Sequence, residues 1–202
     1  MRVGQDESAL ALACEAAGSP VELLSSEGTL LAGGLRIAGQ PLAHVGGEIR
    51  ASALPDTARW NGDAAIWISH YPPLSRRQQA ADAGVLYSGD LANSDAVAEA
   101  LRDRGAPTIA LHGHLHFRDV VSDTHLLQIG VPALAEAPHE LVVVDVQLGN
   151  GLVVEVRTHA LEARATKTAR APAFAPADGR WSYRSGTWRP ESMGRSHLVS
   201  QR

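Results

Sequence analysis

Three histidines at alternate positions close an apolar run in this chain: Ile109-Ala110-Leu111-His112-Gly113-His114-Leu115-His116. A fourth, His70, ends a second run, Ala64-Ala65-Ile66-Trp67-Ile68-Ser69-His70, before the chain turns on Pro72-Pro73. Neutral imidazole is a good ligand for zinc, iron and similar ions. Three imidazoles crowded after a buried strand have no packing role, and the glycine among them permits an unusual turn. Metal capture is the chemistry these residue types suit. Alone, His70 would read as a hydrogen-bonded turn residue. In α/β sheets, however, ligands collect beyond the carboxyl ends of strands, and both histidine groups fall there.

The elements that must position these groups can be read from the pattern around them. From Ser8 to Arg50 an amphipathic helix over about Ser8–Ala17 gives way to short apolar runs separated by Gly28, Gly33-Gly34 and Gly39, a meander of short strands. From Ala64 to Val146 buried strands alternate with helices. The spacing predicts strands over Ala64–Ile68 and Thr108–Leu111, with helices over Arg76–Ala83 and Ser94–Arg104, Ser94 serving as the N-cap. Further strand-like runs stand at His125–Ile129, Leu141–Val146 and Leu152–Val156, the last two joined by a Gly149-Asn150-Gly151 turn suited to a hairpin. An α/β core flanked by antiparallel strands is the expected class.

Composition bounds the rest. With 202 residues, 45% hydrophobic and 20% charged, the chain buries a real core and has room for one ordinary domain. No apolar run approaches the ~20 residues of a membrane helix. Aromatics at 4% argue against a stacking platform for single-stranded nucleic acid. Cys14, the one cysteine, can form no internal disulfide, and a cytoplasmic location is the simplest expectation. The net charge of −4 is unevenly spread: residues 163–202 carry eight Arg or Lys against Asp178 and Glu191. Periodicity fades there, so the domain is expected over 1–162, followed by a basic tail over 163–202 that either docks through its aromatics or stays mobile.

Gly113-His114-Leu115-His116 resembles the Gly-His-x-His signature of calcineurin-like metallophosphoesterases, and Ile68-Ser69-His70-Tyr71-Pro72-Pro73 is similar to the strand-then-histidine segment that precedes it. The resemblance runs from near the start to about residue 160 and takes in Leu141-Val142-Val143-Val144-Asp145-Val146. It implies the C-terminal half of a two-sheet α/β sandwich, with a mixed sheet and antiparallel closing strands. The implied reaction is hydrolysis of a phosphate mono- or diester, the substrate being a small phosphoester or a nucleotide. In the family a hydroxide bridging two metal ions attacks phosphorus. On this resemblance His70 and His114 ligate one metal (Mn, Fe or Zn) and His116 the other. His112 and Arg118 lie close enough in sequence to orient a ligand or touch the phosphate.

The departures are equally specific. The family's Asp-x-His, Gly-Asp-x-x-Asp and Gly-Asn-His motifs precede the equivalent of His70, and none stands in that position here. Val3-Gly4-Gln5-Asp6-Glu7 falls where the third would, without its asparagine and histidine. The chain is therefore expected to begin at the family's midpoint and to lack the bridging aspartate. One metal at most is expected, with Asp6 or Glu7 as the substitute ligand, weak or no turnover, and self-association through an incomplete sheet edge. The alternative is a non-catalytic metal-binding remnant, or a module whose basic tail contacts nucleic acid or a protein. Asp123-Thr124-His125 spells Asp-x-His on one face of an expected strand, and Gly89-Asp90 with Asp95 loosely mimics the second motif. Both fall in the wrong order along the chain and are set aside as ligands, as is the Gly149-Asn150 turn.

Overall fold

Apolar runs bounded by glycine and proline form the central strands of the computed structural model, which describes residues 29–32, 34–60, 64–82, 89–116, 118–132, 139–160 and 178–191. Six strands make one mixed sheet: Thr29–Ala32 (β1), Leu35–Gly39 (β2), Ala65–Ser69 (β5), Thr108–His112 (β6), Leu126–Gly130 (β8) and Asp119–Ser122 (β7), in the spatial order β1-β2-β5-β6-β8-β7. The four central strands run parallel, and β1 and β7 pair antiparallel at the two ends. Between β2 and β5 the chain makes a separate hairpin of Leu42–Val45 (β3) and Glu48–Ala51 (β4). The helices Arg77–Asp82 (α1) and Ser94–Asp103 (α2) lie in sequence between β5 and β6.

A parallel sheet must be covered on both faces, and the period-two alternation of β5 shows how this one is. Ala65 and Trp67 join Ala110, Leu126 and the α2 residues Val97 and Leu101 in one core. Ile66 turns the other way and packs with Ile109, Leu127 and Ile129 against a second, antiparallel sheet. That sheet holds Glu140–Leu148 (β9), Leu152–Ala160 (β10), Gly179–Arg184 (β11) and Thr187–Glu191 (β12) in the order β12-β11-β10-β9. Each fully buried Leu, Ile or Val in these layers contributes about 1.5–3 kcal/mol. Trp67 is also satisfied as a donor, its indole N–H reaching Gln40 Oε1 at 3.3 Å.

The protein is thus α/β with a mixed sheet and few helices, and most strands stand where the apolar runs predict them. Four details differ. The N-cap of α2 is Asn93 and not Ser94, and it makes no side-chain cap bond. Its amide instead grips the backbone of Ala51, accepting from the N–H at 2.9 Å and donating to the carbonyl at 3.1 Å, which ties α2 to β4. Asp123-Thr124-His125 is a tight turn joining β7 to β8 rather than part of a strand, closed by backbone bonds between Asp123 and Leu126. α1 is described only over Arg77–Asp82, one residue later at its start than expected.

The fourth difference concerns the basic tail. The boundary expected at residue 162 is overrun, because β11 pairs with β10 from Leu152↔Tyr183 to Val156↔Gly179. Trp181 and Trp188 belong to the core between the sheets, so apolar burial draws this stretch in despite its arginines. The expected helix over Ser8–Ala17, Cys14 and the candidate ligands Asp6 and Glu7 lie outside the described residues.

Candidate functional site

β5 and β6 are neighbours in parallel register, Ser69 opposite His112. Both strands therefore deliver the residues just past their carboxyl ends to one edge of the sheet. His70 leaves the end of β5, and the rings of His70 and His114 stand edge to face with centroids 5.2 Å apart. Tyr71 closes the group, its ring 3.9 Å from that of His114 and 5.2 Å from that of His70. Gly113 packs against His70, since a Cβ placed there would meet His70 Nδ1 at 3.6 Å, an ordinary contact. After Gly113 the backbone enters the left-handed region twice, at His114 (φ 63) and His116 (φ 57). Non-glycine residues adopt this conformation at a cost, and such strain concentrates at functional sites.

The loop after His70 is pinned by a residue the sequence did not single out. Gln128, fully buried on β8, accepts from the Leu74 N–H at 2.7 Å and donates to the Leu74 carbonyl at 3.2 Å. Its amide mimics a strand partner for the Pro72-Pro73-Leu74 segment and so fixes where His70 leaves the sheet. A polar residue inside an otherwise apolar run, Leu126-Leu127-Gln128-Ile129, was the available signal.

Electrostatics favour the unprotonated imidazole at His70 and at His112. Burial, with His116 nearby, lowers the pKa of His70 below its ordinary 6.5. His112 is pushed down to about 4, mainly by burial. The bond to Gly113 opposes that shift, and the positive Arg76 reinforces it. The Nδ1–H of this neutral ring donates to the Gly113 carbonyl at 2.9 Å, while Nε2 is buried without a hydrogen-bond partner. A backbone carbonyl on one ring nitrogen and a bare lone pair on the other is the tautomer of a ligating histidine.

Two ion pairs follow in the chain around these histidines. Arg76 and Asp119 form a buried ion pair, with Arg76 Nη2 donating to Asp119 Oδ1 at 2.9 Å. Burial raises the Asp119 pKa in spite of that arginine. Arg118 is held by Glu140, Nε to Oε2 at 3.2 Å, so its charge is offset within the fold.

The sequence-predicted residues are therefore brought together in part. His70 and His114 form a pair, and His116 is near enough to act on His70 electrostatically. Among the described residues, no three His, Cys, Asp or Glu side chains form a group that could hold a metal ion. Asp90 and Asp123 are engaged elsewhere, with Ser75 and Arg77 and with Arg102. Tyr71, expected only as part of the turn, is the residue that covers the pair. A scan of protein-family models finds none that matches this chain, and a search of curated proteins finds no match either. Among the described residues, no helix is long and apolar enough to cross a membrane.

Proposed function

We propose that the chain binds one divalent metal ion (Mn, Fe or Zn) through the pair His70 and His114, with His116 joining them by a shift of its loop when the ion binds, and that its chemistry is weak hydrolysis of a small phosphate ester. The observation that carries this reading is the meeting of His70 and His114 at the carboxyl edge of two adjacent parallel strands, 5.2 Å apart. The packing of a mixed sheet on an antiparallel one supports a metallophosphoesterase-type sandwich. The donor chemistry fits at His70, whose pKa burial lowers, so that this ring meets a cation more readily without first losing a proton. A bound divalent ion would supply Lewis-acid polarisation of a phosphoryl oxygen and a water of lowered pKa.

The chain's own residues do the positioning. His112 fixes the Gly113 carbonyl, and with it the peptide that leads into His114. Tyr71 restricts rotation of the His114 ring and shields one side of it from water. Gln128 anchors the exit of His70. What the motifs lack is a carboxylate to hold a second cation at the ~3.5–4 Å spacing of two-metal catalysis, and turnover is weak for that reason. A single cysteine suits the reducing cytoplasm, where we place the protein.

A second reading is a metal-binding module without catalysis. It draws support from the recognised motifs, which offer imidazoles but no carboxylate to bridge a second cation. A nucleic-acid-binding tail is disfavoured by pairing within the closing sheet, where Arg180 and Arg184 both reach Glu191.

Equilibrium dialysis of the full chain against manganese or zinc, with a generic aryl phosphate assay, tests the proposal. About one ion per chain, lost in His114→Ala, with turnover low and metal-dependent, is the expected result. Retention of the ion by both His114→Ala and His70→Ala would overturn it. Metal binding with no turnover at all would select the second reading.

A further inference from the structure

Asn150, in the turn between β9 and β10, is followed by Gly151. In such a pair the backbone nitrogen of the glycine reaches the asparagine side-chain carbonyl carbon through a five-membered ring. Holding two reacting groups in one chain raises their effective concentration, and glycine has no Cβ to obstruct the approach. The chain has three asparagines: Asn61 and Asn150 precede glycine, and Asn93 precedes serine. Whether each reacts is set by how the fold holds its amide and the nitrogen after it.

Two of them stand in opposite states. Asn93 is half-buried, and both atoms of its amide are taken by the Ala51 backbone, at 2.9 and 3.1 Å. The Ser94 N–H next to it donates to the Leu91 carbonyl at 3.1 Å. Asn150 instead lies in an exposed stretch from Gln147 to Gly151, beyond the last strand pair, Leu148↔Leu152. The turn is closed through other atoms, the Gly149 N–H donating to the Gly151 carbonyl at 3.1 Å. Among the described residues, neither the Asn150 side chain nor the Gly151 N–H makes a hydrogen bond. A Cβ built on Gly149 meets nothing within 4 Å, so the space beside the turn is open. Asn150 also lines a groove of about 260 Å³ with Arg184, whose largely exposed guanidinium reaches Glu191 at 3.4 Å. A carboxylate formed on this turn therefore meets attraction and not repulsion. Asn61 lies outside the described residues.

We propose that Asn150 is a site of self-modification, where the Gly151 nitrogen displaces the side-chain amide and water leaves an aspartyl or isoaspartyl residue. The nitrogen gives up its proton and bonds to the Asn150 side-chain carbonyl carbon. The C–N bond of the amide breaks, and ammonia leaves with that proton. Water then opens the cyclic imide. Opening at the side-chain carbonyl restores the main chain as aspartate, and opening at the main-chain carbonyl routes it through the side chain as isoaspartate. Both products add a negative charge to a neutral turn, and the second also lengthens the connection between β9 and β10 by one carbon.

The test keeps the full chain at mildly alkaline pH, folded in one sample and unfolded by urea in another. Peptide mass spectrometry with chromatographic separation then follows asparagine, aspartate and isoaspartate at each site. Asn150 is expected to convert at nearly the same rate in both samples. Asn93 is expected to slow by about tenfold or more on folding, the scale of the two hydrogen bonds that hold it. Asn150→Gln, whose longer side chain no longer closes a five-membered ring, is expected to end conversion at that position and leave Asn61 unaffected. Conversion of Asn150 that folding slows as much as that of Asn93 would overturn the proposal. Acid found at Asn61 with none at Asn150 would overturn it too.

Discussion

The ring of Tyr71 lies against that of His114, 3.9 Å between centroids and tilted by 37°. Groups that orient a ligating histidine commonly govern metal affinity by about 10–100-fold. Tyr71→Ala should therefore weaken zinc or manganese binding by about tenfold, while Tyr71→Phe, which keeps the ring, should stay within about twofold of the native protein. Calorimetric titration of the two variants checks this, and equal losses in both would show that the ring contact is not what matters.

The left-handed backbone at His114 (φ 63) makes a second prediction. Any side chain with a Cβ pays about 1–2 kcal/mol in that conformation, and a β-branched residue there should be less stable still. Glycine carries no such penalty, so His114→Gly should unfold at a urea concentration no lower than the native protein. It should nevertheless lose the metal. Stability and binding then move in opposite directions at one position, as expected where local strain is kept for function.

Gln128 supplies a third. Gln128→Met preserves volume but strips Leu74 of both hydrogen bonds, leaving its N–H and carbonyl without these partners. The expected loss is about 1–3 kcal/mol for such an unsatisfied group, measured by urea unfolding. A variant as stable as the native protein would show that the Pro72-Pro73-Leu74 segment finds other partners.

Asp123 gives a prediction in pH. Burial opposes its ionisation, but the Thr124 N–H and the Arg102 guanidinium outweigh burial and hold its pKa below the ordinary 3.8. The folded pKa lies below the unfolded one, so the contribution is fully present above about pH 4. It is lost as the pH falls through the folded value. Stability measured between pH 2 and 6 should fall more steeply on the acid side in the native protein than in Asp123→Asn.

How much of this was legible in the sequence depends on the range of the signal. Ile66-Trp67-Ile68 and Ile109-Ala110-Leu111 announce buried strands by themselves, and the rule that ligands gather at strand carboxyl ends puts His70 and His114 together. The residues that hold the pair are not written locally. Gln128 finds Leu74 across 54 positions, and Arg76 finds Asp119 across 43. Nothing in either neighbourhood names its partner. The β11–β12 hairpin was hidden differently: Arg180, Arg184 and Arg189 made the stretch read as a charged tail. Its signal was present in Ser185-Gly186, which both take positive φ between Tyr183 and Trp188, the pattern of a two-residue hairpin turn. Strand pairing then brings Arg180 and Arg184 to Glu191.

That hairpin also sets the order in which the protein can be completed. His125 Nδ1 meets the Tyr183 hydroxyl at 2.5 Å, and the Trp188 indole N–H reaches the His125 carbonyl at 3.1 Å, so the last strands fasten onto a turn made some sixty residues earlier. During synthesis the parallel strands and the histidine edge emerge from the ribosome with Ile109, Leu127 and Ile129 still bare on one face. Leu152, Val154 and Val156 of β10 begin to cover that face, and Trp181 and Trp188 complete the cover. Every nascent chain therefore passes through an interval in which the chemical edge already exists while its back is open to water, to a chaperone, or to another nascent copy.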